Sequence, residues 1–215
     1  MIKRSEILKA FSFSKFAPNF FESDLLLLSK YAAGATFVIE TGTGISTHYI
    51  ADGARPTCNL MYSIDIMLPP EHVQVDWVQY VKGWSMTAAD LPRSNDPDFL
   101  KSKYRSPEDS VVFKGVPELE GEDDILHKIL TDNPAALPDF VFSDGGEYSG
   151  YPEWRLMKDV IPIGGIWASH DIYYPKSSKH CRSTEEVEKS SEWEVLEKTD
   201  SRQGLLIARR VANGG

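Results

Sequence analysis

At 215 residues with 41% apolar side chains, the chain is long enough to bury one sizeable α/β core, and it reads as a single domain over 1–215. A formal net charge of −9 and a pI near 5.1 argue against a protein that wraps a phosphate backbone, since counterion release needs a basic surface. Cys58 and Cys181 are too few and too far apart for a CxxC zinc site or a disulfide scaffold, no run of about 18 apolar residues exists, and MIKRSEILKAF has no long apolar stretch with a cleavage site; the expectation is a soluble cytoplasmic protein with two free thiols and no membrane partner.

The N-terminal segment 1–22 carries Phe11, Phe13, Phe16, Phe20 and Phe21 around Pro18, which suggests a short helix and loop packed on the domain or covering its site. Ser23 or Asp24 can cap a helix holding Leu25 to Leu28, Tyr31 and Ala32, with Gly34 as its stop. Phe37, Val38 and Ile39 then form the apolar run of a buried parallel strand, which passes Glu40 into the turn TGTGIST. Gly42 and Gly44 allow a tight turn there, and Ser46 or Thr47 can cap the helix that continues through His48 and Ile50. Strand, glycine turn and helix start together favour a nucleotide-type cofactor lying against exposed amides.

A second strand over 60–66 contains Asp65, about 20 residues past the turn, the spacing at which an acidic side chain can accept ribose hydroxyls. From Pro69 the apolar spacing of Val73, Trp77, Val78 and Val81 predicts a helix. A polar, proline-bearing stretch over 91–110 reads as an insertion or loop, and Val111 to Phe113 as the third strand. A helix through Ile125, Leu126, Ile129 and Leu130 precedes a fourth strand over 139–144, which ends in Asp144, Gly145 and Gly146. Beyond a helix over 151–160, a fifth strand over 166–169 ends in His170 and Asp171. A charged helix over 184–191 and a hairpin of 193–198 with 205–209 close the chain. The expected fold class is α/β: a mostly parallel seven-stranded sheet with helices on both faces and an antiparallel C-terminal hairpin.

In such sheets ligands lie beyond the carboxyl ends of the strands, and here those ends carry Glu40, Asp65, Asp144, His170 and Asp171, a polarity that packing does not require. With these residues in place the sequence resembles the class I S-adenosylmethionine-dependent methyltransferases, in their small-molecule O-methyltransferase-like branch, over about 24–210. The segment IETGTGIST resembles the first motif of that Rossmann-like family, YSIDI the second, PDFVFSDGGEYSGY the fourth-strand motif, GGIWASHDIY the fifth, and GLLIARR the closing antiparallel strand. The resemblance implies S-adenosylmethionine as cofactor, held by Glu40, Gly42, Gly44, Ser46, Thr47, Asp65, Asp144 and Gly145, with Asp65 on the ribose. It implies transfer of a methyl group to a small molecule, at a hydroxyl oxygen.

In the metal-dependent branch, acidic ligands come from the ends of the fourth and fifth strands beside an amide ligand. Asp144 and Asp171 match two of these places, but no asparagine follows Asp171, so a divalent metal such as magnesium stays open. His170 is the expected general base, with His48 in reserve, because an unperturbed imidazole titrates near neutrality, and Asp144, which the resemblance sets facing cofactor and substrate, is the other expected catalytic residue. Tyr148, Tyr151, Tyr173 and Tyr174 are candidates to line an aromatic acceptor pocket. Two rival readings remain: a nicotinamide-dependent oxidoreductase, weakened because Thr47 stands near the place of the last glycine of GxGxxG, and a methyltransferase-like domain that binds without turnover. The acceptor's identity and homo-oligomerisation are left open by these residues.

Overall fold

Near-continuous apolar runs at Phe37–Ile39, Phe140–Phe142 and Ile166–Ala168 are what a strand buried on both faces requires, and they form the middle of a seven-stranded sheet. The computed structural model describes residues 22–87, 89–90, 122–146, 149–173, 179–201 and 203–213. In chain order the elements are α1 (Glu22–Ala32), β1 (Phe37–Thr41), α2 (Ile45–Ala54), β2 (Leu60–Asp65), β3 (Gln79–Lys82), α3 (Ile125–Asp132), β4 (Phe140–Ser143), α4 (Gly150–Val160), β5 (Ile166–His170), α5 (Cys181–Lys189), β6 (Trp193–Lys198) and β7 (Leu205–Arg210). The sheet order is β3-β2-β1-β4-β5-β7-β6. Every neighbouring pair from β3 to β5 is parallel, whereas β7 runs antiparallel to both β5 and β6.

Alternate residues of the central strands feed two cores. Val38, Phe140 and Phe142 pack with Leu28, Ala32, Ile50 and Ala54 of α1 and α2 on one face. Ile39, Val141 and Trp167 pack with Leu126, Trp154, Met157 and Val187 of α3, α4 and α5 on the other. Helices therefore cover both faces, as a mostly parallel sheet demands. The first pair of helices approaches closely at Gly53, where an added Cβ would lie 2.1 Å from the Ser29 carbonyl oxygen. Behind β5, Trp154 sits between Trp167 and Trp193 with ring centroids 5.2 and 5.1 Å away, and Trp167 meets the His180 ring at 5.9 Å.

The first helix already includes Glu22, so Ser23 and Asp24 lie inside it and do not cap it, and three further expectations change. The helix expected from Pro69 to Val81 is instead a short 3-10 turn at Glu71–Val73 followed by β3, which pairs with the open edge of β2 from Tyr62↔Gln79 to Asp65↔Lys82. A few apolar residues at helical spacing cannot announce a free strand edge elsewhere in the chain, and Tyr80 and Val81 suit a strand better than a helix. The helix capped at Ser46 or Thr47 starts earlier, at Ile45 with Gly44 as N-cap. The last helix is Cys181–Lys189 instead of 184–191, a shift of its whole frame toward Lys179. The segment 1–21, the insertion 91–110 and the strand expected at 111–113 lie outside the described residues. Among the described residues no helix is long and apolar enough to cross a membrane.

Candidate functional site

The sheet order reverses between β1 and β4, and both strands end there in polar residues. Gly42, the first residue past β1, has φ +89 and donates its N–H to the Ile64 carbonyl at 2.8 Å. A Cβ on Gly42 would lie 2.3 Å from the carbonyl oxygen of Asp144, so only glycine lets the turn press against the end of β4. Gly44 faces open space, with only the Ser46 hydroxyl near its missing side chain, at 3.8 Å. Its N–H donates to Thr47 Oγ1 at 3.1 Å, which ties the turn to the first helical residues.

Beneath the turn lies a closed layer of hydroxyls and one acid. The Glu40 side chain is fully buried; Ser46 and Ser63 each donate to its carboxylate at 2.7 Å, and the Thr43 and Ser63 hydroxyls meet at 2.8 Å. Burial pushes Glu40 up to about 7, against the opposing pull of Thr47, Ser46 and Ser63. Ser46 and Thr47 are as buried as Glu40. These three residues of the first motif brace the turn from below, while Gly42, Gly44 and Asp65 form its upper edge. Asp65 is half-buried, and its Oδ1 accepts the Met67 N–H at 2.9 Å. Burial raises its pKa, partly offset by backbone amides of Met67, Thr43 and Ile66; the Thr43 amide belongs to the glycine turn itself.

A second cluster sits at the ends of β4 and β5. Asp144, His170 and Asp171 offer ligand-type atoms within 4.8 Å of one another. His170 Nδ1 lies 3.0 Å from Asp171 Oδ1 and 3.6 Å from Asp144 Oδ1. Lys179 Nζ lies 2.8 Å from Asp144 Oδ1 and 2.8 Å from Asp171 Oδ2, and donates to the Asp144 carbonyl at 3.3 Å. Asp171 takes a left-handed backbone, φ +63, uncommon for a residue with a side chain; its N–H donates to Gly204 and its carbonyl accepts from His180. Burial by itself would discharge each of these groups, yet the opposite charges win: His170 is raised to about 9 by Asp144 and Asp171, Lys179 is raised further by the same pair, and Asp171 is held well below the usual carboxylate range by His170 and Lys179. The base role expected of His170 assumed an ordinary imidazole. Between two carboxylates it carries its proton at neutral pH.

A third group escapes sequence reading entirely. Glu153, on the buried face of α4, accepts from Thr41 at 2.7 Å and from Ser85 and Ser143, so one carboxylate gathers the ends of β1 and β4 and the segment after β3. Ser143 also meets His180 Nε2 at 3.1 Å. His180 is pushed down to about 3 by burial and by the Lys179 charge. The Lys179–His180 pair stands near no glycine turn or strand end in the sequence, and Glu153 lies just past the fourth-strand motif, in what reads as an ordinary helix. The only signal available was an acid and a lysine placed among residues that the fold buries.

The other candidates point elsewhere. His48 lies in α2 with its pKa lowered by burial, and its partner is the Val73 backbone. Tyr151 donates to Glu186 at 2.6 Å under the Arg182 guanidinium, which directs it to α5. Tyr173 packs on Gly204, where a Cβ would come within 2.4 Å of its ring. Tyr148 and Tyr174 lie outside the described residues.

The sequence matches no protein-family model and no curated protein. Solved structures do match. A cofactor-bound protein from MTB superposes with a TM-score of 0.60 at 15% identity, covering 97% of this chain and 89% of that one. The O-methyltransferase TomG from Streptomyces achromogenes, involved in tomaymycin synthesis and solved with SAM, gives 0.55 at 15% identity, with 97% and 89% covered. The methyltransferase MycE from the mycinamycin biosynthetic pathway, solved with Mg, SAH and mycinamycin VI, gives 0.53 at 13% identity, with 96% of this chain and 54% of MycE covered. The mostly parallel sheet closed by an antiparallel hairpin is the architecture shared with these structures: the chain has the fold of the class I S-adenosylmethionine-dependent O-methyltransferases.

Proposed function

We propose that the chain is an S-adenosylmethionine-dependent methyltransferase that methylates a hydroxyl oxygen of a small molecule. The observation that carries this reading is the edge formed by Gly42, Gly44 and Asp65 at the point where the sheet order reverses, in a fold whose solved neighbours include complexes with SAM and SAH. The residues fit such a cofactor. Gly44 leaves space over the N-terminus of α2, where helix amides favour a carboxylate, and Asp65 stands one turn away as a charged acceptor for two ribose hydroxyls. Glu40, Ser46 and Thr47 hold that turn from beneath, and Asp144 and Gly145 form the wall from β4.

The cofactor, when bound, supplies an electrophilic methyl on a sulfonium. What the chain adds is position and charge, the two means by which such sites gain most of their rate. As the methyl leaves the sulfonium, the acceptor hydroxyl gives up its proton, and Asp144 is the carboxylate placed to take it: its side chain is 17% exposed, against 10% for Asp171 and 1% for His170. His170 keeps its proton between the two carboxylates and orients them. A nicotinamide reading gains nothing from this geometry, since Thr47 is fully buried and bonded to the turn where a dinucleotide fingerprint would use a glycine for close packing.

The test is calorimetry with SAH. Wild type is expected to bind it, and Asp65→Ala to lose affinity by about tenfold or more while its circular dichroism stays unchanged, as expected when a charge-assisted acceptor is removed. Wild type that fails to bind both SAH and S-adenosylmethionine sinks the reading.

A further inference from the structure

We propose that the ammonium of Lys179 holds the cation position between Asp144 and Asp171, so that this site is built to work without a divalent metal ion. The inference deepens the methyltransferase reading and rests on it only for the reaction served.

Two carboxylates at neighbouring strand ends, with a histidine beside them, invite a metal. A hard divalent ion asks for about six oxygen ligands at 2.0–2.6 Å. Here the inward oxygens are already used: Lys179 Nζ bridges Asp144 Oδ1 and Asp171 Oδ2 at 2.8 Å each, and His170 Nδ1 stands 3.0 Å from Asp171 Oδ1. An ion bound through Asp144 Oδ1 and Asp171 Oδ2 would have to lie where the ammonium lies, and one bound through Asp171 Oδ1 and His170 Nδ1 would have to share Asp144 Oδ1 with that ammonium. The next residue after Asp171 is the buried Ile172, which offers no side-chain oxygen. Adding two positive charges beside a lysine that already neutralises one carboxylate would leave buried positive charge without a partner, a costly arrangement.

The lysine is delivered by construction. His180 anchors the segment through Ser143 Oγ at 3.1 Å, Ser183 Oγ at 3.2 Å and the edge of Trp167, and its N–H donates to the Asp171 carbonyl. Gly150 makes the room. A Cβ there would lie 2.7 Å from the His180 ring and 2.9 Å from Lys179 Cγ. The first residue of α4, the last of the loop before α5, and both strand ends thus cooperate to seat one ammonium. Lys179 is in this sense a positioning residue: it sets the separation of the carboxylates and lowers the negative field at the acceptor oxygen.

Mn2+ titration followed by electron paramagnetic resonance, on protein stripped with chelator, decides the matter. Wild type is expected to show no site-specific Mn2+ binding tighter than millimolar, with an isotherm that Asp171→Asn does not change. Lys179→Met, which keeps the side-chain volume, and Lys179→Ala are expected to tighten Mn2+ binding about tenfold or more, because affinity in oxygen sites follows the ligand charge left free; adding Asp171→Asn to either variant abolishes the gain. Micromolar Mn2+ binding by wild type that Asp171→Asn removes overturns the proposal, and so does an unchanged affinity in folded Lys179 variants. Should neither lysine variant fold, the wild-type and Asp171→Asn isotherms still decide. SAH calorimetry on the same samples speaks to the methyltransferase reading by itself, so either idea can fail alone.

Discussion

Glu40 illustrates how a single side chain couples the site to solution conditions. Its folded pKa of about 7 stands above the 4.5 of an exposed glutamate, so the protonated form stabilises the fold fully below about pH 4.5 and that contribution is lost as pH rises through about 7. The shift corresponds to about 3 kcal/mol. Glu40→Gln cannot titrate. Urea denaturation of wild type and variant across about pH 4.5 to 8 is expected to show the difference in stability moving toward the variant by about that amount; a constant difference would mean that Glu40 is not desolvated as the structure has it. Glu40 itself was legible in the sequence as an acid at a strand end, but its role was not. The buried hydroxyls of Ser46 and Ser63 take both of its oxygens, contacts that its place at a strand end does not announce. Lys179 was not legible at all, because its reason for being buried is a meeting of Asp144, Asp171 and the missing side chain of Gly150, three places that no local pattern connects.

Elements were easier to read where burial is complete. β1, β4 and β5 are buried along their length, and such strands declare themselves as apolar runs. β3 is an edge strand with its ends exposed, so its apolar residues are sparse enough to mimic a helix, and only pairing with β2 decides the matter. The contact between α1 and α2 allows a prediction at the same scale. Glycine to alanine within a helix usually stabilises by roughly 0.5–1 kcal/mol. At Gly53 the new methyl would meet the Ser29 carbonyl oxygen at 2.1 Å and its carbon at 2.8 Å, so the helices must part. Gly53→Ala is therefore expected to destabilise by about 1–3 kcal/mol, the cost of overpacking, seen as a lower midpoint in thermal denaturation. A raised midpoint would show that the two helices separate freely.

At the scale of the whole molecule, the sheet order explains why the site is where it is. The chain runs outward from β1 to β3, returns to β4 and continues outward through β5, so the glycine turn and the Asp144 cluster come from opposite halves yet touch at Gly42. A ligand seated at that junction holds both halves together. SAH at about 100 times its dissociation constant is expected to add about 2.7 kcal/mol of stability. For a domain of this size that raises the unfolding midpoint by roughly 5–10 °C, measurable by scanning calorimetry; NADH is expected to give no shift. The overall α/β class was legible because strands and helices alternate along the chain, and the strand ends were legible because polar residues break apolar runs there. The reach of α4 and α5 into the site was not, since the partners of Glu153 and His180, Thr41 and Ser143, lie far away in the sequence. The tryptophans behind β5 add a consequence of a different kind. Three of the chain's five indoles lie in contact in one row, Trp154 tilted against Trp167 and edge to face with Trp193, and the row ends on His180, whose ring touches the hydroxyl of Ser143. Transitions couple at such separations, so a change at the Asp144 end of the sheet is expected to alter the near-ultraviolet dichroism of the protein without any added label.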